Sequence, residues 1–210
     1  MVGEMLLKAD DPVATGILDA ARALFLSDGY DGVNLDRIAK EAGVARQTLY
    51  NKFGGKQAVF RAMLQRHWDR LDISPILDEV NGPSRDSDPA HVLLTFARLL
   101  LRFVQETDQI AVIRLVIAES RRLPWIAEDF YRVGKAPLLE GLAVALGRLT
   151  EAGLLNCPDT FLAAHQFFGL IQEMTLWPAV MGAADVLDHL PSADRVIDEA
   201  LLMFLGRYAP

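Results

Sequence analysis

The chain has 210 residues, 51% of them hydrophobic, and a formal net charge of −7. That length supports one large domain or two small ones with a sizeable core. No apolar run reaches the ~20 residues of a membrane span, the N-terminus lacks the basic flank and apolar core of a signal peptide, and the single cysteine, Cys157, excludes an intrachain disulfide or a cysteine-cluster metal site.

A soluble cytoplasmic protein without membrane association is therefore expected. Residues 92–104 are strongly apolar but carry Arg98 and Arg102, and read as a buried amphipathic helix. The acidic total hides a regional split. Residues 34–70 hold eight Lys/Arg against three Asp/Glu (+5), residues 1–33 two against six (−4), and residues 71–210 eleven against nineteen (−8). Where basic charge gathers matters more for phosphate binding than the sum.

In chain order, Asp10-Asp11-Pro12 opens a first helix that ends near Ser27-Asp28-Gly29, with Ile17, Leu18, Ala21, Leu24 and Phe25 on its inner face. Tyr30-Asp31-Gly32 is a turn. Residues 34–60 then spell a helix, a short turn and a second helix, the layout that pushes one short helix into the major groove of DNA. Asn34 is a good N-cap, and Leu35, Ile38 and Ala39 share a face. Gly43 stands where a left-handed residue ends the first of the two helices. Leu49 and Phe53, four apart, turn the second helix back onto the core. The polar set left outside is Arg46, Gln47, Thr48, Tyr50, Asn51 and Lys52, which suits base edges and phosphates. Gly54-Gly55-Lys56 ends the second helix and opens a third, where free backbone N–H groups and a lysine can meet a phosphate together.

A longer helix runs from about Lys56 to Asp72, followed by a Gly/Pro-containing polar loop from Leu77 to Asp88. Helices are then expected over about 89–106, 109–121, 124–133, 135–152, 159–176 and 191–206, broken at Thr107-Asp108, Pro124, Gly134, Cys157-Pro158 and Gly182 to Pro191. The period is helical throughout, with no repeat and no strand alternation. The fold class is all-α: a three-helix helix-turn-helix domain (residues 1–56, with a connecting helix over about 56–72) and a larger helical domain (residues 73–210), nine or ten helices in all.

Three phrases carry a family resemblance: A-x-x-L-F-x-x-x-G-Y ending at Tyr30, I-A-x-x-A-G-V ending at Val44, and T-L-Y-x-x-F-x-x-K ending at Lys56. Residues 17–64 resemble the DNA-binding domain of the tetracycline-repressor (TetR/AcrR) family of bacterial transcriptional regulators. The resemblance implies that Asn34 holds a phosphate at the start of the helix before the turn. It places Arg46, Gln47 and Thr48 at the base-facing start of the recognition helix, and Tyr50, Lys52 and Lys56 on phosphates. Asn51 fits either a base or a phosphate. Ala45 departs from the pattern, standing where the family often has a capping serine. Residues 113–155 resemble the AefR-like C-terminal domain of some of these regulators, through Ile117-Ala118-Glu119, Leu123-Pro124, Phe130-Tyr131 and Gly134.

In the resembling family the last two helices pair with their copies as a four-helix bundle, which implies a homodimer on a near-palindromic double-stranded operator. Phe161, His165, Phe168 and Gln172, with Ile197, Leu201 and Phe204, are the expected contact residues. The middle helices are expected to enclose an unidentified apolar or aromatic effector, with Phe103, Glu119, Trp125, Phe130, Phe167, Met174 and Trp177 as candidate lining. Effector binding must favour one spacing of the recognition helices over another, and a pendulum-like shift of the helix from Lys56 to Asp72 is the natural link. By family habit the regulator is expected to repress.

Catalysis is not expected. His67, His91, His165 and His189 are scattered, and no zinc-protease, nucleophile-elbow, P-loop or dinucleotide motif is present. No cofactor and no metal are implied. The alternative reading is a helical protein-interaction adaptor that does not use DNA, which predicts no salt-dependent DNA affinity.

Overall fold

In a computed structural model the chain is all-helical, without a strand among the described residues, which are 11–75, 78, 88–183 and 189–210. Most of the expected loop from Leu77 to Asp88 and the middle of the break from Gly182 to Pro191 lie outside them. The chain divides into two compact units. One joins the described residues up to Trp68 with Leu115–Phe130; the other joins Asp69–Arg114 with Tyr131–Pro210.

The first unit begins with α1 (Pro12–Asp28), whose start is fixed by the Asp11 side chain accepting from the Val13 and Ala14 amides at 3.1 Å. Ile17, Ala21 and Phe25 on its inner face are fully buried. Helices α2 (Leu35–Glu41), α3 (Arg46–Phe53) and α4 (Lys56–Trp68) complete the helix-turn-helix domain. Asn34 caps α2 by accepting from the Arg37 amide at 2.9 Å. Gly43, at φ 66°, ends α2: its N–H donates to the Lys40 carbonyl, while the Val44 N–H donates to that of Ala39. Both bonds satisfy carbonyls that the helix end would otherwise orphan.

The remainder of this unit comes from the end of α6 (Gln109–Ser120) and from α7 (Pro124–Phe130). Trp125 lays its ring against Tyr30 and Phe60 at centroid distances of 5.4 and 5.6 Å, and Phe60 meets Phe25 at 5.0 Å. Asp129, buried, pairs with Arg61 at 2.5 Å. Glu119 accepts from the Tyr30 amide at 2.8 Å and pairs with Arg122 at 2.7 Å. The close approach requires Gly29: a Cβ there would sit 2.8 Å from the Glu119 carboxylate, at a φ of +73° that side chains rarely adopt.

The second unit is built on α5 (Pro89–Glu106), which buries Val92, Leu93, Phe96, Ala97, Leu100 and Phe103 while Arg98 and Arg102 stay exposed. Residues Tyr131–Lys135 form a π-helical turn, and α8 (Ala136–Glu151) follows directly. The expected break at Gly134 is thus a change of helical period, since a π turn adds a residue without stopping the helix. α9 (Thr160–Thr175), a short α10 (Trp177–Val180) and α11 (Ala193–Tyr208) complete the unit, with α9 packed on α8 and α11. The Tyr208 hydroxyl donates to Gln166 at 2.8 Å, and its carbonyl accepts from the Asn156 amide, tying α11 to the chain on both sides of α9's start. No helix among the described residues is long and apolar enough to cross a membrane.

Candidate nucleic-acid interface

Leu49 is the only fully buried residue of α3, which anchors that helix to α1 and α2 and leaves the rest of its surface outward. Arg46, Gln47, Tyr50 and Asn51 are exposed; Thr48 and Lys52 are half-buried. Gln47 donates to the Asn51 side chain at 2.7 Å, so these two amides one turn apart are paired on the outer face. Such amides offer both a donor and an acceptor to a base edge. Ala45 stands at the N-cap in extended geometry and supplies no side-chain hydrogen bond. Ala45→Ser is therefore expected to stabilise this unit by about 1 kcal/mol, read as a higher calorimetric melting temperature.

The cations of the interface are held rather than loose. Arg46 pairs with Asp36 of α2 at 3.1 Å, and Lys52 with Asp11. Arg37 reaches the Gly32 carbonyl at 2.6 Å and Asp28 at 2.5 Å, fixing the turn before α2. Hydrogen bonds from Ser27 and then Arg37 hold the Asp28 carboxyl below its ordinary range. Lys56 places its ammonium 4.2 Å from the centre of the Tyr30 ring. Burial lowers the Lys56 pKa against the opposing pull of Asp31 and Glu119. Asn34 uses its side-chain oxygen as the cap of α2, accepting from the Arg37 amide.

Sequence reading missed Asp11 and Asp36 as partners of the outward cations. Asp11 looked like a helix cap only, and its 41-residue separation from Lys52 leaves no local signal.

The candidate effector residues divide between the two units. Glu119, Trp125 and Phe130 belong to the first unit, where Glu119 is committed to Tyr30 and Arg122, and Phe130 packs on Trp68 at 5.3 Å. Phe103 and Phe167 are buried core of the second unit, while Met174 and Trp177 are exposed. Of this set only Met174 borders the unit's large open groove, about 1050 Å³, which runs between α9 and α11 past Gln166, Gly169, Met203 and Tyr208.

The expected dimer residues divide in the same way. Phe168, Ile197 and Phe204, expected as dimer contacts, are buried inside the protomer and serve its core. Phe161 is exposed, and His165, Gln172 and Leu201 are half-buried. The apolar side chains most exposed on these two helices are instead Leu202 (68%), Met203 (61%), Phe161 and Leu162.

Comparison with known proteins places this geometry. Residues 17–63 match the family model for bacterial regulatory proteins of the tetR family, and residues 91–210 match that for the C-terminal domain of AefR-like transcriptional repressors. The repressor AcnR of Corynebacterium glutamicum is 24% identical over 187 residues, 87% of this chain and 92% of its own. The regulator SrpR of Pseudomonas putida is 41% identical over 152 residues, 62% and 67% of the two chains. With AlkX of Mycobacterium tuberculosis the match is 40% over 55 residues, 26% of each chain. Among solved structures, the flavonoid-responsive regulator FrrA superposes with a TM-score of 0.76 at 27% identity, covering 95% of this chain and 98% of its own. A TetR-family regulator from Mesorhizobium loti gives 0.75 at 26% identity, with the same coverage. The chain belongs to the TetR family of bacterial transcriptional regulators, with an AefR-like C-terminal domain, and is a DNA-binding regulator built around a helix-turn-helix.

Proposed function

We propose that this protein is a homodimeric repressor that reads a near-palindromic operator through α3 and leaves it on binding a small apolar or aromatic effector. The observation that carries the DNA reading is α3 itself: one buried anchor, Leu49, and an outer face of Arg46, Gln47, Tyr50 and Asn51. Arg46 and Gln47, in the first turn, contact base edges; Tyr50, Lys52, Lys56 and Asn34 hold phosphates and set register. Arg46→Ala is expected to weaken binding to the selected operator by about 1–3 kcal/mol and to relax preference at one base position of each half-site. Fluorescence anisotropy with the operator and single-base variants measures both. A uniform loss across all sequences would instead make Arg46 a phosphate contact.

The dimer reading is supported by the apolar side chains that α9 and α11 leave exposed, Leu162, Leu202 and Met203 above all. Surfaces of that kind mark association sites, and two half-sites then act together on one duplex. The effector class is supported by the flavonoid response named for FrrA and by the apolar, aromatic composition of the second unit. The repressor reading is supported by the AefR-like repressor domain and by the relative AcnR. Sedimentation of the free protein tests the dimer, and operator release under a panel of aromatic and aliphatic compounds tests the effector class.

A further inference from the structure

Both ends of α3 carry a cation whose partner is a carboxylate from another helix: Arg46 with Asp36 of α2, Lys52 with Asp11 before α1. The two pairs differ in shelter. Arg46 and Asp36 are 66% and 60% exposed, whereas Lys52 and Asp11 are 28% and 29%. An exposed pair is weak and screened by salt, and a half-buried one much less so. Asp11 is also locked in place. One carboxylate oxygen accepts the Val13 and Ala14 amides, so only the other is turned to Lys52. The hydrogen bond from Lys52, then that from the Ala14 amide, holds the Asp11 carboxyl below its ordinary range, and it is charged at neutral pH.

We propose that Asp11 is a built-in restraint on DNA binding: its carboxylate occupies Lys52 as a stand-in for a DNA phosphate and lowers affinity for operator and arbitrary DNA alike. The inference rests on the reading of α3 as the DNA-contacting helix. For Lys52 to hold a phosphate, its ammonium must leave Asp11 or accept the phosphate beside an existing negative charge. Either course is unfavourable. Non-specific binding consists almost wholly of phosphate neutralisation, so the cost is a larger share of it. A complex in register with its operator gains base contacts that offset it.

The test uses the full-length protein and two duplexes, the selected operator and a scrambled one, with affinity followed from 50 to 200 mM salt. Asp11→Asn keeps a side chain that caps a helix as well as aspartate does, and removes the charge. Asp11→Ser is a second neutral capping variant, and the thermal melt of each is recorded. Freeing Lys52 adds one neutralised phosphate, which steepens the slope of log affinity against log salt by about 0.9, roughly a threefold larger loss over that range. Both duplexes are expected to gain affinity severalfold at 50 mM. In a Lys52→Ala background the Asp11 substitution should change nothing. Asp19→Asn, an equal charge change at a residue paired with Arg66, should leave the salt slope as in the native protein.

The inference is overturned by an unchanged slope in both Asp11 variants, by an effect that survives Lys52→Ala, or by an equal effect from Asp19→Asn. Failure of the native protein to bind either duplex in a salt-dependent way would overturn the DNA-binding role of α3 itself, and the inference with it.

Discussion

Phe60→Ala is expected to lower the stability of the DNA-binding unit by about 3–5 kcal/mol, the ordinary range for truncating a buried phenylalanine to alanine. Phe60 is fully buried and lies at the centre of a ring cluster, 5.0 Å from Phe25, 5.3 Å from Tyr30 and 5.6 Å from Trp125. These rings come from α1, the following turn, α4 and α7. A cavity there removes edge-to-face contacts as well as buried area, and no single neighbour is free to collapse into it. Urea unfolding followed by far-ultraviolet circular dichroism measures the loss. Phe60→Leu, which keeps most of the volume, should lose less than half as much. A loss below about 1 kcal/mol for the alanine variant would mean that the cluster contributes little beyond filling space.

Leu49→Ala is expected to cost about 2–5 kcal/mol, and its consequence for function is sharper than its size. Leu49 is the one fully buried residue of α3, and the substitution removes none of the side chains proposed to meet DNA. Binding free energy then falls because α3 must be ordered on DNA at the expense of contacts. Hydrogen exchange of the amides from Arg46 to Phe53 should accelerate relative to those of α1, and operator affinity should fall with it. Unchanged α3 exchange together with lost DNA binding would contradict the anchoring role of Leu49.

Much of the first unit was legible in the chain because its signals are local. Asp11-Pro12, Asn34 and Gly43 each act within four residues, through a cap hydrogen bond or a left-handed turn, and each helix boundary they imply is present. The recognition helix was legible for the same reason: Leu49 faces in, and the polar set lies on the opposite arc. The limits have a common cause in contacts across long separations. Residues 115–130 pack with α1 and α4 through Glu119, Trp125 and Asp129, and nothing in the local pattern of those residues says so. Glu119 therefore looked available to an effector when it is spent on the Tyr30 amide.

Helical periodicity fails differently in α9 and α11. It identifies apolar stripes but cannot say which of two adjacent stripes faces the protomer's own core. Phe168, Ile197 and Phe204 proved to be the inward stripe, and Leu162, Leu202 and Met203 the outward one. At Gly134 the sequence carried a helix-breaking signal, and the chain absorbed it as a π turn.

The central claim is that α3 reads DNA, and the most direct measurement is selection of genomic fragments by the purified protein, with the affinity of the winners followed against salt. The account predicts enrichment of a short near-palindrome, bound by two protomers, whose affinity falls by orders of magnitude between 50 and 200 mM salt and falls further in Arg46→Ala. Failure to enrich any sequence at low salt, or an affinity indifferent to both salt and Arg46, would contradict it and leave a helical adaptor that does not use DNA.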